Sequence, residues 1–408
     1  MINVAIMGHG VVGSGTAEIL INHPERAEKA AHTAVNVKYI LDLRDFPELS
    51  YSDKFVKDFN IILNDDSIKV VAEVMGGINP AYDFVKKCLE KGKSVVTSNK
   101  ELVAAKGAEL LKIAAENNAN FLFEASVGGG IPVLRPISQC LAANEITEIS
   151  GILNGTTNYI LNKMIVENMD FDSALALAQK KGFAEKNPAA DIEGHDACRK
   201  ICILSSLAYG HHIYPQNVPT HGIRDILVED VKAAAQLDCA IKLIARSHRD
   251  EDGTISASVA PMLVPMSNQL AGVDDVFNAV LVKGDMLGDV VFYGKGAGKL
   301  PTASAVVADV IDALKNGAKI HDSLFWRAAA PEDGLFTDNS HAAYYVRSKG
   351  VAAPVLAALC GEGKVVFEQD DMVAYLADDT CDAAVEGIGR KLEALGGHLE
   401  LVLRRLEG

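Results

Sequence analysis

Buried strands and amphipathic helices alternate along the first 135 residues, and this alternation constrains the fold more than any other feature of the chain. Apolar runs predict strands over Ile2–Met7, Val37–Leu41, Val70–Val74, Ser94–Thr97 and Asn120–Phe123. The intervening stretches predict helices over Val12–Asn22, Ala81–Lys91 and Lys106–Asn117. Such alternation is typical of a parallel sheet with helices on both faces. We therefore predict an α/β domain over residues 1–135.

A glycine-rich turn follows the first predicted strand and opens the first helix. Its sequence is Gly8-His9-Gly10-Val11-Val12-Gly13. The glycines permit a tight turn, close approach of a pyrophosphate and close helix–strand packing, with the phosphates at the helix N-terminus. The context predicts a Rossmann-type, doubly wound domain that binds a dinucleotide, with contacts from Gly8, Gly10, Val11, Val12 and Gly13.

Two charged residues close the second predicted strand. Asp42 lies where a carboxylate would hold a ribose 2′-hydroxyl, and Arg44 lies where a guanidinium would hold a 2′-phosphate. Since both are present, the sequence leaves the choice between NAD and NADP open.

The run Thr97-Ser98-Asn99-Lys100 ends another predicted strand. One interpretation is a turn that caps a helix starting near Glu101 and leaves a solvated lysine. The other is a ligand site, because open α/β sheets bind ligands at the carboxyl ends of their strands. The position favours the second interpretation.

From Glu145 the pattern changes to that of an α+β substrate domain, which we place at residues 136–330. Its predicted elements are strand Ile146–Leu153, helices Tyr159–Glu167, Asp172–Lys181 and Asp191–Tyr209, and strands Ile255–Leu263 and Val276–Lys283. Helix Thr302–Lys315 is expected to pack back against the first domain.

The helix predicted to start at an Asp191 N-cap carries the chemistry of this domain. Asp196 and Lys200 are four residues apart on one helical face, which could be an ordinary surface pair. Much of the helix is apolar, however, and Glu185 lies in the loop before it. A charged pair in an apolar wall predicts a polar pocket, where burial and nearby charges tune a lysine for proton transfer. Cys198 and Cys202 are interpreted as core residues.

Two turns allow more than one interpretation. Leu153–Tyr159, which includes Asn154, Gly155 and Thr156, is either a capped strand-to-helix turn or the lining of a substrate site. Gly294–Gly298 is either a flexible loop or a turn that lets the backbone approach a cofactor.

Residues 341–408 have the predicted order β-α-β-β-α-β, which is typical of a ferredoxin-like module and common in regulatory domains. Pro331–Ser340 is polar and is a candidate linker.

The charge and the cysteine content of the chain limit which partners and which cellular compartment are expected. The net charge is −15, from 39 basic and 54 acidic residues, without a long basic run, so neither nucleic acid nor a membrane is expected as a partner. The seven cysteines are scattered, which is typical of thiols in a reducing compartment. No leader or membrane-spanning run is recognised. We expect a cytoplasmic protein.

Seven motifs, in this order and spacing, resemble the homoserine dehydrogenase family over residues 1–330. They are Gly8–Gly13, Glu73–Gly77, Thr97–Lys100, Glu124–Pro132, Gly151–Tyr159, Gly182–Lys200 and Gly296–Ser304. The resemblance implies NAD(P)-dependent interconversion of L-homoserine and L-aspartate 4-semialdehyde in threonine, methionine and isoleucine biosynthesis. Without a kinase region, it implies the monofunctional form.

The resemblance also implies residue roles. Lys200 corresponds to the family's catalytic lysine, and Lys100 to a second lysine near the reacting hydroxyl and the nicotinamide. Glu185 and Asp196 correspond to carboxylates that hold homoserine through its ammonium group. The remaining substrate contacts are Asn154, Gly155 and Thr156, and the remaining cofactor contacts are Gly76, Thr97, Ser98, Gly182, Gly296 and Gly298.

A monovalent cation site, for sodium or potassium, is implied at Glu124 with the carbonyls of Val127, Gly129 and Ile131. One carboxylate with several carbonyls is a hard-oxygen set unsuited to zinc. The alternative for Glu124 is a hydrogen bond that orients the loop. A homodimer is expected, because two-fold assemblies are the commonest, and a homotetramer is the alternative.

The C-terminal module resembles ACT modules in element order alone. The expected acidic ligand turn is replaced by Arg347-Ser348-Lys349-Gly350-Val351, which leaves threonine regulation open. Two rival functions remain: another dehydrogenase of semialdehydes or amino acids, and a non-catalytic sensor of NAD or amino acids. An acyl-phosphate-forming dehydrogenase needs a cysteine in an active-site turn, and a sensor need not keep the lysines and carboxylates.

Overall fold

The computed structural model describes residues 1–316, 324–336, 338 and 340–406. Its strands are β1 (Ile2–Met7), β2 (Val35–Leu41), β3 (Phe55–Val56), β4 (Ile68–Glu73), β5 (Ser94–Thr97), β6 (Phe121–Leu122), β7 (Ile146–Ile152), β8 (Cys239–Arg249), β9 (Ile255–Pro265), β10 (Phe277–Gly284), β11 (Gly288–Lys295), β12 (Ala342–Lys349), β13 (Gly363–Gln369), β14 (Met372–Thr380) and β15 (His398–Arg405). Its α-helices are α1 (Val11–Asn22), α2 (Pro24–Ala31), α3 (Phe59–Leu63), α4 (Ala81–Glu90), α5 (Lys100–Glu116), α6 (Gly155–Glu167), α7 (Phe171–Lys180), α8 (Ala189–Ile192), α9 (His195–Tyr209), α10 (Val228–Gln236), α11 (Lys299–Asn316), α12 (Ala353–Cys360) and α13 (Asp382–Ala394).

The chain forms two compact units, each built from three segments. The first contains residues 1–146, 199–217 and 283–333, and the second contains residues 147–198, 218–282 and 334–408. The predicted linker Pro331–Ser340 includes the passage from one unit to the other, and its Thr337 and Asn339 lie outside the described residues. Residues 317–323 of the predicted substrate domain and 407–408 of the predicted C-terminal module also lie outside them.

The first unit is built on a parallel sheet with the strand order β3-β2-β1-β4-β5-β6. The strands are apolar on both faces, as in β1, where Val4 to Met7 are at most 1% exposed. The strand order reverses between β1 and β4, which is the switch point of a doubly wound sheet. The predicted Rossmann-type fold is confirmed.

The predicted starts of three helices were too late, including that of α11, which begins at Lys299 and not at Thr302. Helix α5 begins at Lys100 and not at Lys106, because the Asn99 side chain accepts a hydrogen bond from the Leu102 N–H at 3.1 Å and caps the helix. This agrees with the helix start near Glu101 in the capped-turn interpretation of Thr97–Lys100. Helix α6 begins at Gly155, where Asn154 provides the same cap.

Helix α11 packs against α1 within the first unit. A Cβ on Gly15 of α1 would lie 2.8 Å from the Lys299 carbonyl oxygen and 3.0 Å from the Ala303 Cβ, so only glycine permits this approach. Helix α11, which follows the second glycine turn (Gly294–Gly298), thereby covers α1, which follows the first glycine turn (Gly8–Gly13).

In the second unit the strands follow the order β10-β7-β8-β9-β15-β12-β14-β13. Strand β8 is antiparallel to both β7 and β9. The α+β class predicted for this part is confirmed, although β8 and α10 were not predicted. The predicted helix Asp191–Tyr209 is wrong at its start, since Gly194 adopts φ +83° and separates α8 from α9. Asp191 lies in α8 and does not cap α9.

The C-terminal part has the predicted order β12-α12-β13-β14-α13-β15. Its strands pair antiparallel in the order β15-β12-β14-β13, around a core that includes Tyr344 and Leu356. Strand β15 also pairs in parallel with β9, where Arg404 is opposite Met262. This part therefore extends the sheet of the second unit.

A buried charged cluster joins β12 to α10. The Asp230 carboxylate accepts hydrogen bonds from Arg347 Nε at 2.9 Å, Tyr345 Oη at 2.6 Å and Leu227 N at 2.8 Å. The Arg347 Nη2 also donates to the Asp225 carbonyl oxygen at 2.7 Å. The stretch Arg347–Val351, which stands where the acidic ligand turn of ACT modules was expected, thus begins inside β12, because this strand continues to Lys349 and the Arg347 guanidinium is buried.

The seven cysteines are free thiols, and five are buried (Cys88, Cys198, Cys202, Cys239 and Cys360). Burial raises the pKa of Cys88 to about 12, so this thiol stays protonated at neutral pH. Within the described ranges, no helix combines the length and the apolar character that a bilayer span requires.

Candidate active site

The first glycine turn has the geometry of a phosphate-binding loop. Gly8 adopts φ +101°, and a Cβ on Gly13 would lie 2.1 Å from the Gly8 carbonyl oxygen. A Cβ on Gly10 would meet nothing within 4 Å, and α1 begins at the next residue. The N-terminus of a twelve-residue helix therefore faces open space, which fits the diphosphate of a dinucleotide.

Asp42 and Arg44, whose roles the sequence left open, form a bidentate pair. Arg44 donates from Nε to Asp42 Oδ1 at 3.0 Å and from Nη2 to Oδ2 at 2.9 Å, and the His9 N–H donates to Oδ2 at 2.9 Å. The Arg44 hydrogen bonds hold the pKa of Asp42 well below its usual range. The Arg44 side chain remains 61% exposed and lies over the Phe46 ring.

Glu73 is a buried carboxylate that the sequence reasoning did not assign to the site. It is the last residue of β4 and is 0% exposed. Its carboxylate accepts from Thr97 Oγ1 at 2.6 Å and from Met75 N at 2.8 Å. Thr97 Oγ1 accepts from Asn99 N, and Asn99 Nδ2 donates to the Gly77 carbonyl. These hydrogen bonds join the loops after β4 and β5, next to the switch point between β1 and β4.

The sequence signal for Glu73 was present, since it is the single charged residue of the run Val70-Val71-Ala72-Glu73-Val74. A charge inside such a run is buried and must be hydrogen-bonded. The loops that it joins carry three predicted cofactor contacts, Gly76, Thr97 and Ser98.

The two predicted catalytic lysines both lie in the first unit. Lys100 is the first residue of α5, and Lys200, which is 7% exposed, lies on α9. Their chain neighbours form an ion pair, with Glu101 Oε1 2.7 Å from Arg199 Nη2. The structure thus brings the first turn of α5 to the part of α9 that carries Lys200.

In the second unit Asn154 connects the turn Leu153–Tyr159, called the substrate turn below, to the start of α9. Its Nδ2 donates to Asp196 Oδ2 at 2.8 Å and to Asp191 Oδ1 at 2.7 Å. Its Oδ1 accepts from Thr157 N at 2.9 Å. A Cβ on Gly155 would lie 2.6 Å from the Val276 carbonyl oxygen. The turn is therefore a helix cap, as the first of its two interpretations expected, and its Asn154 side chain also binds two carboxylates.

Glu185 lies on an exposed loop of the second unit, in contrast to Asp196, which is 4% exposed. Thr156 Oγ1 donates to the Phe183 carbonyl at 2.7 Å, so this loop is tied to the substrate turn two residues before Glu185. The loop starts at Gly182, which has φ +76°.

Glu124 makes hydrogen bonds that orient its loop, which was the alternative interpretation of this residue. Its carboxylate accepts from the N–H groups of Val133 at 2.6 Å, Leu134 at 3.0 Å and Arg135 at 2.8 Å. Within the described part of the chain, no group of three or more His, Cys, Asp and Glu side chains could hold a metal ion.

The loop of the predicted carbonyl ligands Val127, Gly129 and Ile131 contacts the second glycine turn. Gly129 adopts φ +53°, and a Cβ on it would lie 2.4 Å from the Gly296 carbonyl oxygen. Gly298, with φ +131°, ends this turn immediately before α11. The contact places the two predicted glycine sites, Gly296 and Gly298, beside the Glu124 loop.

Comparison with known families gives two matches. The family model described as homoserine dehydrogenase, NAD binding domain, matches residues 8–124, and the one described as homoserine dehydrogenase matches residues 132–311. A homoserine dehydrogenase of Synechocystis sp. is 41% identical over 315 residues, which cover 76% of this chain and 73% of that protein.

Solved structures that resemble this chain point to the same family. A homoserine dehydrogenase from Thiobacillus denitrificans superposes with a TM-score of 0.89 at 34% identity and covers 100% of this chain and 98% of that one. A hyperthermophilic archaeal homoserine dehydrogenase mutant in complex with NADPH gives a TM-score of 0.65 at 30% identity and covers 76% and 97%.

These matches confirm the predicted enzyme class, an NAD(P)-dependent oxidoreductase of amino-acid biosynthesis, and give the sensor alternative no support. The family resemblance is confirmed as well, over the matched ranges 8–124 and 132–311 of the predicted 1–330. The chain belongs to the homoserine dehydrogenase family.

Proposed function

We propose that this chain interconverts L-homoserine and L-aspartate 4-semialdehyde with an NAD(P) cofactor, and that Lys200, assisted by Lys100, transfers the proton. One observation carries the residue assignment. Asp196 and Lys200 are 4% and 7% exposed and lie one turn apart on α9, and Asn154 of the substrate turn donates to the Asp196 carboxylate. A buried lysine beside a buried carboxylate suits proton transfer better than a surface ion pair does.

Each side chain then has a stated task. In the oxidative direction a neutral Lys200 takes the C4 hydroxyl proton of homoserine, and in the reductive direction the protonated lysine returns it to the aldehyde oxygen. The nicotinamide, when bound, accepts or supplies the hydride at C4. Asp196 and Glu185 bind the substrate ammonium group, and Asn154 fixes the orientation of Asp196.

The test is a spectrophotometric assay of purified protein with L-homoserine and NADP or NAD at 340 nm. We expect turnover that depends on homoserine and is absent with L-serine, whose hydroxyl is one carbon closer to the ammonium group. Binding of NADPH without turnover of homoserine or the semialdehyde would contradict the proposed reaction.

We further propose NADP as the preferred cofactor. Both oxygens of Asp42 already accept from Arg44, so this carboxylate is engaged where NAD would require it for the ribose. The 61% exposed guanidinium remains available to a 2′-phosphate.

Replacing Arg44 by alanine is therefore expected to reverse the preference. The kcat/KM for NADP should fall about 10- to 100-fold, the effect of losing a charge-assisted hydrogen bond, while that for NAD stays constant or rises as Asp42 is released. Arg44→Lys is the control, since it keeps the positive charge but not the forked guanidinium that can donate two parallel hydrogen bonds. An equal loss with both cofactors would show that Arg44 orders the loop without selecting the cofactor.

Three wider assignments belong to the same proposal. We place a monovalent cation at the carbonyls of Val127, Gly129 and Ile131, with the Glu124 charge beside them. The same assay in sodium, potassium and tetramethylammonium salts of equal ionic strength tests it, because only the first two ions fit such a site. We also propose a cytoplasmic location, in keeping with five buried free thiols. For the assembly we propose a homodimer, with the homotetramer as the alternative.

The domain roles complete the proposal. Residues 1–135 bind the dinucleotide, residues 136–330 bind the substrate and mediate dimerisation, and residues 341–408 form an ACT-like regulatory module. The β-α-β-β-α-β order of the C-terminal part supports the last role.

A further inference from the structure

The residues next to the two proposed catalytic lysines are themselves paired. Glu101 follows Lys100 in the first turn of α5, and Arg199 precedes Lys200 on α9. Their side chains, 33% and 29% exposed, approach to 2.7 Å between Oε1 and Nη2. An ion pair this accessible to solvent contributes little to global stability. Its position suggests that its contribution is geometric.

A second connection joins the same helices. His212 lies three residues after α9, and its Nε2 is 2.7 Å from the Ala104 carbonyl oxygen of α5. Its Nδ1 accepts from Ala108 N and from Trp326 Nε1, both at 3.2 Å. Because both of these groups only donate, Nδ1 must be the acceptor and Nε2 must carry the proton.

The imidazole thus bridges the carbonyl and the N–H that are i and i+4 partners in a regular helix. Ala104 and Ala108 lie one and two turns beyond Lys100. Burial lowers the pKa of His212, with the Ala104 carbonyl opposing and His211 adding to this shift, which favours the neutral form that the bridge requires.

We propose that Glu101 and Arg199 are positioning residues that fix the separation of Lys100 and Lys200, with His212 holding the next two turns of α5. This inference rests on the proposed function of the lysines. A displacement of a reacting group by about 1 Å can lower a rate about 100-fold. The separation also matters electrostatically, because the closer two ammonium groups lie, the more they lower each other's pKa. Along their own helices, the charged neighbours of the lysines are Glu101 on α5 and Asp196 and Arg199 on α9.

The experiment is a double-mutant cycle in the full chain with Glu101→Gln, Arg199→Gln and both together, plus the reversed pair Glu101→Arg with Arg199→Glu. Each single change should lower kcat for homoserine oxidation about 10- to 100-fold, with the Kd for NADPH, measured by fluorescence titration, within twofold of the wild type. The double variant should be no slower than the slower single variant, and the reversed pair should recover part of the rate.

The pH profile gives a readout that a merely structural role would not move. In both single variants the limb of kcat/KM that reports lysine deprotonation should shift to higher pH as the lysines separate. The loss of the charge alone would move this limb to higher pH in Arg199→Gln and to lower pH in Glu101→Gln. Glu116→Gln is the matched control, because Glu116 is a carboxylate of the same helix paired with Lys112 away from the site. It should match the wild type in rate and pH profile.

Wild-type rates in the single variants, or losses that multiply in the double variant, would overturn the positioning role. An equal loss of kcat and NADPH affinity with a lowered melting temperature and an unshifted pH limb would overturn it too, in favour of a structural role. The proposed function is tested separately, because Lys200→Ala in the same assay does not depend on the pair. Homoserine turnover in the wild type with unaffected pair variants would contradict the positioning role alone.

Discussion

Replacing Lys200 by alanine is expected to lower kcat about 100- to 10,000-fold in both directions, the usual contribution of a positioned proton-transfer group. The Kd for NADPH should not change, because the glycine turn and the Asp42–Arg44 pair are distant in sequence and belong to the loops after β1 and β2. Steady-state kinetics, fluorescence titration and the melting temperature together check the expectation.

The most informative second substitution at this position is Lys200→Arg. Arginine keeps the positive charge and most of the length, but its guanidinium does not deprotonate at neutral pH and cannot act as the base. It should therefore be nearly as slow as the alanine variant. Lys163→Ala is the control, since it removes a lysine that is 19% exposed and paired with Glu167. A Lys200→Arg enzyme within a few-fold of the wild type would assign proton transfer to another group, with Lys100 the first candidate.

The second large effect is expected at Asp230. Asparagine in its place removes the fully buried counter-charge of the Arg347 guanidinium, which is 2% exposed, and leaves the partly exposed Glu400 as its remaining carboxylate partner. Removing one partner of a buried ion pair destabilises by about 3–5 kcal/mol. The loss should be local to β12 and α10, and it is measured by hydrogen exchange of their amides, which should become more than about 100-fold faster.

Asp371→Asn provides the comparison within the same part of the chain. Asp371 pairs with Lys349 at 3.4 Å, with both side chains about half exposed, and such a pair contributes about 0–1 kcal/mol. Exchange in β12 should therefore remain close to that of the wild type. Equal exchange rates in the Asp230 and Asp371 variants would mean that the cluster does not hold β12 to α10.

The parallel sheet could be predicted from the sequence because its strands are short, continuous apolar runs. Strand β8 could not, because Lys242 stands in its middle and is 1% exposed. The lysine is tolerated since its Nζ donates to the Val273 carbonyl oxygen at 2.6 Å, 31 residues further on. A local pattern carries no information about such a partner, and the charge makes the run look like an exposed helix.

The candidate site shows the same limit. Asp42, Arg44, Asn154 and Asp196 could be named from the sequence, because motif and position mark them. Their pairing could not, since hydrogen bonds from Arg44 to Asp42 and from Asn154 to Asp196 depend on side-chain orientation. Glu124 shows the converse, because three backbone N–H groups that leave no trace in the sequence determine what its carboxylate does.

The threading of the chain has a consequence for protein engineering. The chain passes from one unit to the other at five points, after residues 146, 198, 217, 282 and 333. No single crossover in a gene can therefore swap one complete unit between relatives, and a chimera joined at one site mixes segments within at least one core. Chimeras should instead exchange the three segments of a unit together. The interleaving also raises the contact order, which slows folding, because distant segments must meet before either core is complete.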